Sequence, residues 1–463
     1  MILNPKKGEN GQEINLNGKN VALKECLGIR HVQILMVFLL TFISFGMKVN
    51  LSIGIVAITD DKVNPGIPTF HWNTEEKGLL LSAIFVGYVL PQIFAGILAK
   101  RYGSKWILTF SMGFCALFTC AIPKSAEFGV WACILCRFLQ GLCQGFFFPC
   151  VHNLISLWIP CNERSTMGSF IYSGCTLGIV IGMLLTGELS ASIYGWPSAF
   201  YIYALFGFIW MFVWAFIGES SPKNHKNISI EEKLYIINSY GYSCTDKSKK
   251  ILTPWKEIFI SRPFWGLLIV HCGQMWSYFT LMNELPTYMN TILKFDIKEN
   301  GVVIALAYFV AWIASFPFAI GTDFIINRKM LSIGNARKIA TSIGLFGPAI
   351  IFLIISGVDD LTTIKVVVLI MTGLSMNSAT LSGFQLNHID ISQNHAGTLM
   401  GITNSCANLC GIITPIIVDI IVVDEYDPTQ WDEIFLLSAG IYLISGMFYI
   451  AFGSGEIQEW DKI

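Results

Sequence analysis

Twelve long apolar runs constrain the fold of this chain more than any other feature of its sequence. A helix needs about 20 mostly apolar residues to cross the hydrocarbon core of a bilayer. Runs of this kind lie at residues 33–58, 77–99, 105–123, 130–158, 165–191, 197–217, 263–291, 301–326, 337–356, 363–386, 397–422 and 432–453. Only 13% of the 463 residues are charged, against about 25% in a soluble domain. The sequence therefore predicts an all-α membrane protein with twelve transmembrane helices.

The basic residues between the runs predict how the chain is oriented. Of the 30 lysines and arginines, 22 lie in the two tails and in every second connection, and six lie in the other connections. Because basic loops stay on the cytosolic side, we expect both termini to be cytosolic. The net charge of −1 gives no indication of a nucleic-acid partner. The expected surroundings are the lipid bilayer and a small solute.

The longest polar stretch divides the runs into six and six. It predicts an N-terminal tail at 1–32, a six-helix half at 33–217, a cytosolic linker at 218–262, a second six-helix half at 263–453 and a C-terminal tail at 454–463. Within the linker, Ser229 followed by Glu231 and Glu232 predicts the capped start of a short surface helix that reaches Tyr240. Two six-helix halves around a central cavity are typical of transporters whose substrate site lies near the midplane.

Two cations lie within the apolar runs, Lys48 and Arg137. Ionisable residues inside a membrane cost free energy and are functional by default. The planar guanidinium of Arg137 suits a carboxylate or a phosphate, although an arginine bonded to helix carbonyls or to a buried acid would fit equally. Lys48 offers a point charge, and its alternative is a lysine that reaches out to the interface. We expect the two cations to flank one anion.

Other polar residues in the runs are candidates for the cavity. Gln144 lies seven residues after Arg137 and shares its helix face. The candidate substrate ligands are Arg137, Lys48, Gln144, Tyr288, Gln274 and His152, with Trp276 and Tyr278 as further wall residues. The candidate ion-coupling residues are Asn50, Asn404, Asn408 and His271. For the asparagines, hydrogen bonds between helices are the alternative, and for the histidines it is packing. Pro286 offers a hinge in the seventh run.

Several motifs resemble a known transporter family. The turns GILAKRYGSKW (96–106) and GTDFIINRK (321–329) form a weak internal repeat and look like the signature loop of the major facilitator superfamily. The second copy keeps Asp323, but the first has Lys100 where an acid is usual. RFLQGLCQGFFFPCVH (137–152) with WIPCNERS (158–165) is similar to helix 4 of the organic-anion family that contains sialin, the vesicular glutamate transporters and the sodium–phosphate cotransporters. MKVNLSIGIVAI (47–58), NELPTYMNTIL (283–293) and GFQLNHIDISQNHAGTLMGITNS (383–405) agree with it.

The resemblance covers the whole membrane domain and implies the major facilitator fold with alternating access. It is strongest for the insect branch named for inorganic phosphate cotransport. It assigns Arg137 to anion binding or coupling. Conformational or structural roles are expected for Gly96, Arg101, Asp323, Arg328, Gly141, Gly145, Pro149, Glu163 and Arg164. Proton-coupled members commonly carry a glutamate at position 144, so Gln144 favours sodium over a proton, with facilitated diffusion and a proton carried elsewhere left open. No other cofactor and no bound metal are expected.

The sequence thus predicts a secondary transporter of inorganic phosphate or small organic anions, cation-coupled, monomeric and in the plasma membrane. One alternative is a proton-linked vesicular or lysosomal transporter of sialic acid or acidic amino acids, against which the tail offers no acidic dileucine signal. A second is a transporter-like receptor that moves nothing, with Gln144 and Lys48 as signs of decay. An enzyme is not expected, because no nucleophile–base set, phosphate loop or metal-ligand spacing is visible.

Overall fold

The computed structural model describes residues 28–59, 67–239, 253–295, 297–358 and 362–461, and these residues form helices and turns without a strand. The helices are α1 (Ile29–Thr59), α2 (Thr74–Val89), α3 (Gln92–Tyr102), α4 (Ser104–Glu127), α5 (Val130–Gln144), α6 (Phe147–Trp158), α7 (Arg164–Ala191), α8 (Gly195–Ile217), α9 (Ile230–Ser239), α10 (Trp255–Ile260), α11 (Arg262–Thr291), α12 (Ile297–Asn327), α13 (Ile333–Gly357), α14 (Thr363–Asn377), α15 (Phe384–Ile391), α16 (Ala396–Ile421) and α17 (Pro428–Phe452). The predicted tail at 1–32 lies outside the described residues except for its last five.

Every one of the twelve predicted spans contains helix, and three of them are broken. The second span is α2 and α3, bent by 41° at Pro91, which has no N–H to continue the helix. The fourth span is α5 and α6, and the tenth is α14 and α15. Within the described residues, ten segments are long and apolar enough to cross a bilayer, and the bent pair makes eleven. The twelfth is α11, whose 30 residues suffice in length but include several polar side chains.

The chain forms two helical halves that meet along two seams. In the first half α1 packs against α7, and α4 against α8; in the second, α13 packs against α17, and α11 against α16 and α17. Between the halves, α7 packs against α12, and α3 against α16. At one end of the bundle Arg30 pairs with Glu163 and Asp461 bonds to Ser392. We call this end, which holds both described chain ends, the termini face, and the opposite end the distal face.

Glycines let helices of the first half approach backbone to backbone. A Cβ atom placed on Gly141 would lie 2.2 Å from the carbonyl oxygen of Ile84, and one on Gly145 would lie 2.4 Å from that of Tyr88. Real Cβ atoms do not come this close to a carbonyl oxygen. The four-residue spacing of small residues on α5 therefore serves its contact with α2.

The linker helix α9 is attached to the first half. The amide of Glu232 donates to Ser229 Oγ, which is the predicted cap. The Glu232 carboxylate is buried and accepts hydrogen bonds from the amides of Ile29 and Arg30, at 2.9 and 3.0 Å. These are unpaired donors of the first turn of α1, where a negative charge is favourable. The predicted helix is thus present, and it also caps α1.

Candidate functional site

A cavity of about 150 Å³ lies between the two halves at mid-height of the helices. Among the described residues, its walls combine eight aromatic rings with amides, small hydroxyl side chains and a single charged residue. The polar and aromatic lining residues are Phe45, Lys48, Tyr88, Phe148, Tyr172, Thr176, Gln274, Tyr278, Phe279, Tyr308, Ser315, Asn377, Ser378, Thr380, Phe384, Gln385, Asn404 and Asn408. Both halves contribute, as a site for alternating access requires.

Lys48 is the charged residue of the cavity. Its ammonium lies over the rings of Phe85, Tyr88 and Phe45, with 4.5, 4.8 and 5.6 Å from Nζ to the ring centroids. Ring faces attract a cation without neutralising it. No carboxylate lines the cavity, and none of the described residues forms an ion pair with Lys48. The structure thus places one uncompensated positive charge at the cavity wall.

Arg137 does not line this cavity, contrary to the expected pair of flanking cations. Its guanidinium donates to the carbonyls of Met47 and Lys48, at 3.3 and 2.8 Å, and to Gln140 Oε1 at 2.7 Å. It lies behind α1 as seen from the cavity and is 1% exposed. The reason is that α5 directs this side chain at the α1 backbone, whose carbonyls have a second lone pair to offer. This is the carbonyl-bonded alternative described above.

The other candidate ligands divide into those at the cavity and those in the packed core. Gln144 donates to the carbonyl of Ser44, at 3.1 Å, and stays behind α1 with Arg137. Tyr288 was expected at the cavity but packs against Trp431 and Phe435. It lies ten residues beyond Tyr278, about 15 Å along the helix, past the end of the cavity. Trp276 lies on the other face of α11 and bonds to Ser438.

The amides at the cavity bond mainly to one another. Gln274 and Asn377 exchange two hydrogen bonds, at 2.7 and 3.0 Å. Asn404 donates to Gln92 Oε1 and to the hydroxyl of Tyr88, at 2.7 and 2.9 Å, which joins the two halves. Asn408 donates to Asn404. Asn50, another candidate amide, is fully buried away from the cavity and accepts from Thr186.

Three histidines form a buried cluster between the cavity and the termini face. The carbonyl of Gln385 is bonded to His152 Nε2 and His388 Nδ1, at 3.0 and 3.2 Å. Thr403 Oγ1 lies 2.9 Å from His388 Nε2 and 3.1 Å from His271 Nδ1. Because a carbonyl only accepts, both histidines donate to it. In a neutral ring the second nitrogen then accepts. His388 Nε2 therefore accepts a hydrogen bond from the hydroxyl of Thr403.

The hydrogen-bond partners also fix the proton positions of the remaining members of the cluster. His152 Nδ1 accepts from the hydroxyl of Tyr172. Thr403, having given its hydrogen to His388, accepts from His271 Nδ1. His271 Nε2 then keeps a lone pair, and it is buried without a partner. Neither His152 nor His271 lines the cavity.

The termini face is closed by charged contacts between the halves. Asp390 accepts from Arg164 of the first half at 2.8 Å and from Arg337 of the second at 2.7 Å. Asp323 accepts from the amides of Ser165 and Thr166, at 2.9 and 2.7 Å. It thereby caps the first turn of α7 from the other half. These charged contacts between the halves lie at one end of the bundle.

The first copy of the repeated turn makes a different contact. Lys100 Nζ lies 3.3 Å from both ring nitrogens of His395, across the second seam. Burial, and the charge of Lys100, lower the pKa of His395 to about 3. An acid is present nearby, but it comes from the end of the chain: Asp461 accepts from Ser392 Oγ and from the amides of Gln393 and Asn394. Burial raises the pKa of Asp461.

The remaining conformational candidates lie around this closed end. A Cβ atom on Gly96 would lie 2.5 Å from the carbonyl oxygen of Gly397, and one on Gly397 would lie 2.6 Å from that of Pro149. The backbones of the two halves therefore touch here. Glu163 pairs with Arg30 within the first half. Arg101 and Arg328 are exposed, each over the ring of a neighbouring aromatic residue.

Comparison with known proteins agrees with this architecture. Residues 36–415 match the Major Facilitator Superfamily. The chain is 38% identical to a Drosophila ananassae protein named "Putative inorganic phosphate cotransporter", over 92% of this chain and 93% of that one. It is 30% identical to human sialin, over 94% and 91%, and 30% identical to human vesicular glutamate transporter 2, over 98% and 81%.

A solved structure shares the fold. The proton:xylose symporter XylE superimposes with a TM-score of 0.73 at 12% identity, over 93% of this chain and 97% of that one. At this identity the superposition shows a common fold. The chain belongs to the major facilitator superfamily.

Proposed function

We propose that this protein is a secondary transporter of a small anion, working by alternating access in the plasma membrane with both termini cytosolic. The observation that carries the proposal is Lys48, a cation at the wall of the cavity between the halves with no anionic partner among the described residues. A buried charge is stable when an opposite charge pairs with it. A bound anion supplies that charge, and an enzyme reaction is not needed to explain the site.

Arg137 has a different role in this proposal. It holds the carbonyls of Met47 and Lys48 and so positions the part of α1 that carries the lysine. Sialin and the phosphate cotransporters are named for anions, which supports an anion as the substrate here. The protein works as a monomer, because one chain contains both halves and the cavity.

We infer that a cation accompanies the anion, with sodium as the first candidate. Gln144 cannot carry a proton, which favours sodium at the position where a glutamate is common. A second candidate is a proton, and the observation that favours it is the lone pair of His271 Nε2 in the buried histidine cluster. Removal of sodium should slow uptake under the first candidate, and collapse of a pH gradient should slow it under the second.

Uptake into proteoliposomes tests the proposal. Radiolabelled phosphate, glutamate and sialic acid are offered with and without a sodium gradient. We expect Lys48→Gln to reduce the uptake of the accepted anion at least tenfold, because the counter-charge is lost. Lys223→Gln, at an exposed lysine of the linker, is the matched control and should transport normally. Equal uptake by both variants would exclude Lys48 as the anion site, and no uptake of any anion would favour the receptor alternative.

A further inference from the structure

We propose that an anionic phospholipid binds on the outer surface of the second half, with an acyl chain between α12 and α13 and its phosphate at the basic turn that follows α12. The apolar recess between these helices, the α12–α13 groove, shares none of its described lining residues with the cavity between the halves. The inference therefore adds a second ligand to the proposed function and does not depend on which solute is transported.

The α12–α13 groove is a recess of about 140 Å³. Pro317, Gly321 and Ile325 belong to its α12 wall, and they follow one another at four-residue steps along one face of the helix. Ile339 and Ile343 belong to the α13 wall. A cavity of about 150 Å³ in another protein accepts benzene, so the groove has room for a chain segment of about six carbon atoms.

The groove opens towards lipid near the termini face. Beside it on α12, the apolar side chains of Ile320 and Phe324 are 56% and 54% exposed, as on a surface that contacts a membrane. Pro317 lies ten residues before Asn327, where α12 ends, so the inner end of the groove is about 15 Å from the end of the helix. An acyl chain that starts at the membrane surface can therefore follow the groove into the hydrocarbon core.

Gly321 leaves space for such a chain. A Cβ atom placed on this glycine would meet no heavy atom within 4 Å, whereas one on Gly96 would meet a backbone carbonyl. The glycine at position 321 is therefore not needed for a close contact between helices. A side chain or a lipid chain fits in front of it.

The walls offer hydrocarbon contacts but no free polar side chain. Thr322 is the single residue with a polar side chain in the described lining. Its hydroxyl is engaged by the carbonyl of Phe318, at 2.8 Å, and by Ser382 Oγ, at 3.2 Å. A polar solute would leave water without gaining a hydrogen bond from these side chains, and this costs free energy. The chemistry of the groove therefore fits an acyl chain.

Two basic residues lie at the termini-face end of the groove. The amide of Arg328 donates to the carbonyl of Phe324, at 3.0 Å, which continues the turn of α12 and puts Arg328 on the face of Ile325. The guanidinium of Arg328 lies over the ring of Phe324, with 5.4 Å from Cζ to the ring centroid. Lys329 follows in the turn, and both basic residues are exposed. Neither forms an ion pair with another described residue.

A phosphate diester supplies the negative charge that this basic pair lacks. A guanidinium holds two phosphate oxygens through parallel N–H groups, and basic residues beside transmembrane helices attract the anionic lipids of the cytosolic leaflet.

Nearby acids of the termini face do not compete for the same position. Asp323 is buried against α7. Glu456 follows Gly455, and the backbone of Gly455 contacts Gly334. Gly334 lies nine residues before Ile343 and so on the opposite face of α13. The mouth of the groove is therefore basic, and this complementarity selects an anionic lipid over a neutral one.

Photo-crosslinking tests the inference. The full-length protein is reconstituted in vesicles of phosphatidylcholine with a trace of a probe lipid that carries a diazirine on one acyl chain. The headgroup of the probe is either phosphatidylglycerol or phosphatidylcholine, and labelled peptides are mapped by mass spectrometry after irradiation. We expect the phosphatidylglycerol probe to label residues 317–325 and 336–343 about fivefold more or better, because each basic side chain near a membrane surface favours an anionic lipid by about this factor.

Two variants separate the phosphate from the acyl chain. Arg328→Gln should lower the preference for phosphatidylglycerol several-fold, and Arg101→Gln, at the exposed arginine of the first repeated turn, should leave it unchanged. Gly321→Leu fills the groove and should abolish the labelling of its walls by both probes. Gly440→Leu, on α17 and also with open space around it, should not.

Equal labelling by the two probes in the wild-type protein would overturn the inference, and so would labelling of the walls that survives Gly321→Leu. If Gly321→Leu lowers the melting temperature, Arg328→Gln decides, because an unchanged preference in that variant would exclude the basic turn as the phosphate site. The labelling is measured without a solute gradient, so its failure leaves the transport proposal standing.

Discussion

Acid on the termini face should open that face, because His395 is held there without its proton. The ring lies 3.3 Å from the ammonium of Lys100 across the seam between α3 and α16. Opening the seam separates Lys100 from His395 and exposes the imidazole ring to water. Asp461 also lies near, but its hydrogen bonds are to the second half, so they are kept when the halves part.

The size of the effect follows from the pKa of His395. It is about 3 in the closed state and about 6.5 for a histidine in water. Because the pKa is lower in the closed state, the open state binds the extra proton, and stability of the closed face is lost as the pH falls below 6.5. At pH 5.5 the loss is about 1.4 kcal/mol, which shifts the ratio of open to closed molecules about tenfold. At pH 7.5 the loss is negligible.

Two backbone amides report the opening. Ser165 and Thr166 donate to Asp323 of the other half and have no partner within their helix. Their hydrogen–deuterium exchange, corrected for the intrinsic effect of pH, should therefore speed up about tenfold between pH 7.5 and pH 5.5. His395→Gln should reduce this increase in exchange rate by a factor of about ten. His71→Gln, at an exposed histidine of the distal face, should leave it unchanged.

An unchanged exchange rate across this pH range in the wild-type protein would refute the reasoning. A full response in His395→Gln would assign it to other titratable groups, such as the three clustered histidines.

Three further predictions concern stability and closure. Gly96→Leu should cut transport more than tenfold and speed exchange at residues 165 and 166, because a side chain there meets the Gly397 carbonyl; Gly78→Leu, with open space around it, is the control. Asp323→Asn should speed the same exchange about tenfold, because amides bond less strongly to a neutral acceptor. Arg137→Lys should lower the free energy of unfolding by about 1.5–3 kcal/mol, measured by denaturation in detergent. Weaker anion binding without this loss of stability would instead place Arg137 in contact with the substrate.

The fold followed from the sequence because length and hydropathy are local properties. Each of the twelve apolar runs contains helix in the structure. This includes the seventh run, which forms α11 and whose polar residues lower its hydropathy. Lys48 lines the cavity as expected, because a charged side chain in the middle of α1 is costly against lipid. Arg137 could not be placed in the same way, because the direction of its side chain depends on which helix lies against α5.

The rest of the site depends on contacts between helices, which cannot be predicted from the spacing of residues in the sequence. Asn377 and Tyr308 are single polar groups in apolar runs, and only the meeting of α11, α12 and α14 brings them to one cavity. Spacing could have excluded Trp276, two residues from Gln274 and so on the opposite face. It could not exclude Tyr288, which shares the face of Gln274 but lies too far along the axis.

The contact of Asp461 with the turn before α16 has a practical consequence for handling the protein. Residues 454–461 bond back to the bundle through the carbonyl of Ser454, the amide of Gln458 and the Asp461 carboxylate. A truncation before Gln458 removes Asp461, an acid of the termini face. A flexible spacer between Ile463 and a purification tag or fluorescent fusion should leave residues 454–461 in place, and comparing spaced with unspaced fusions measures how much transport depends on this segment.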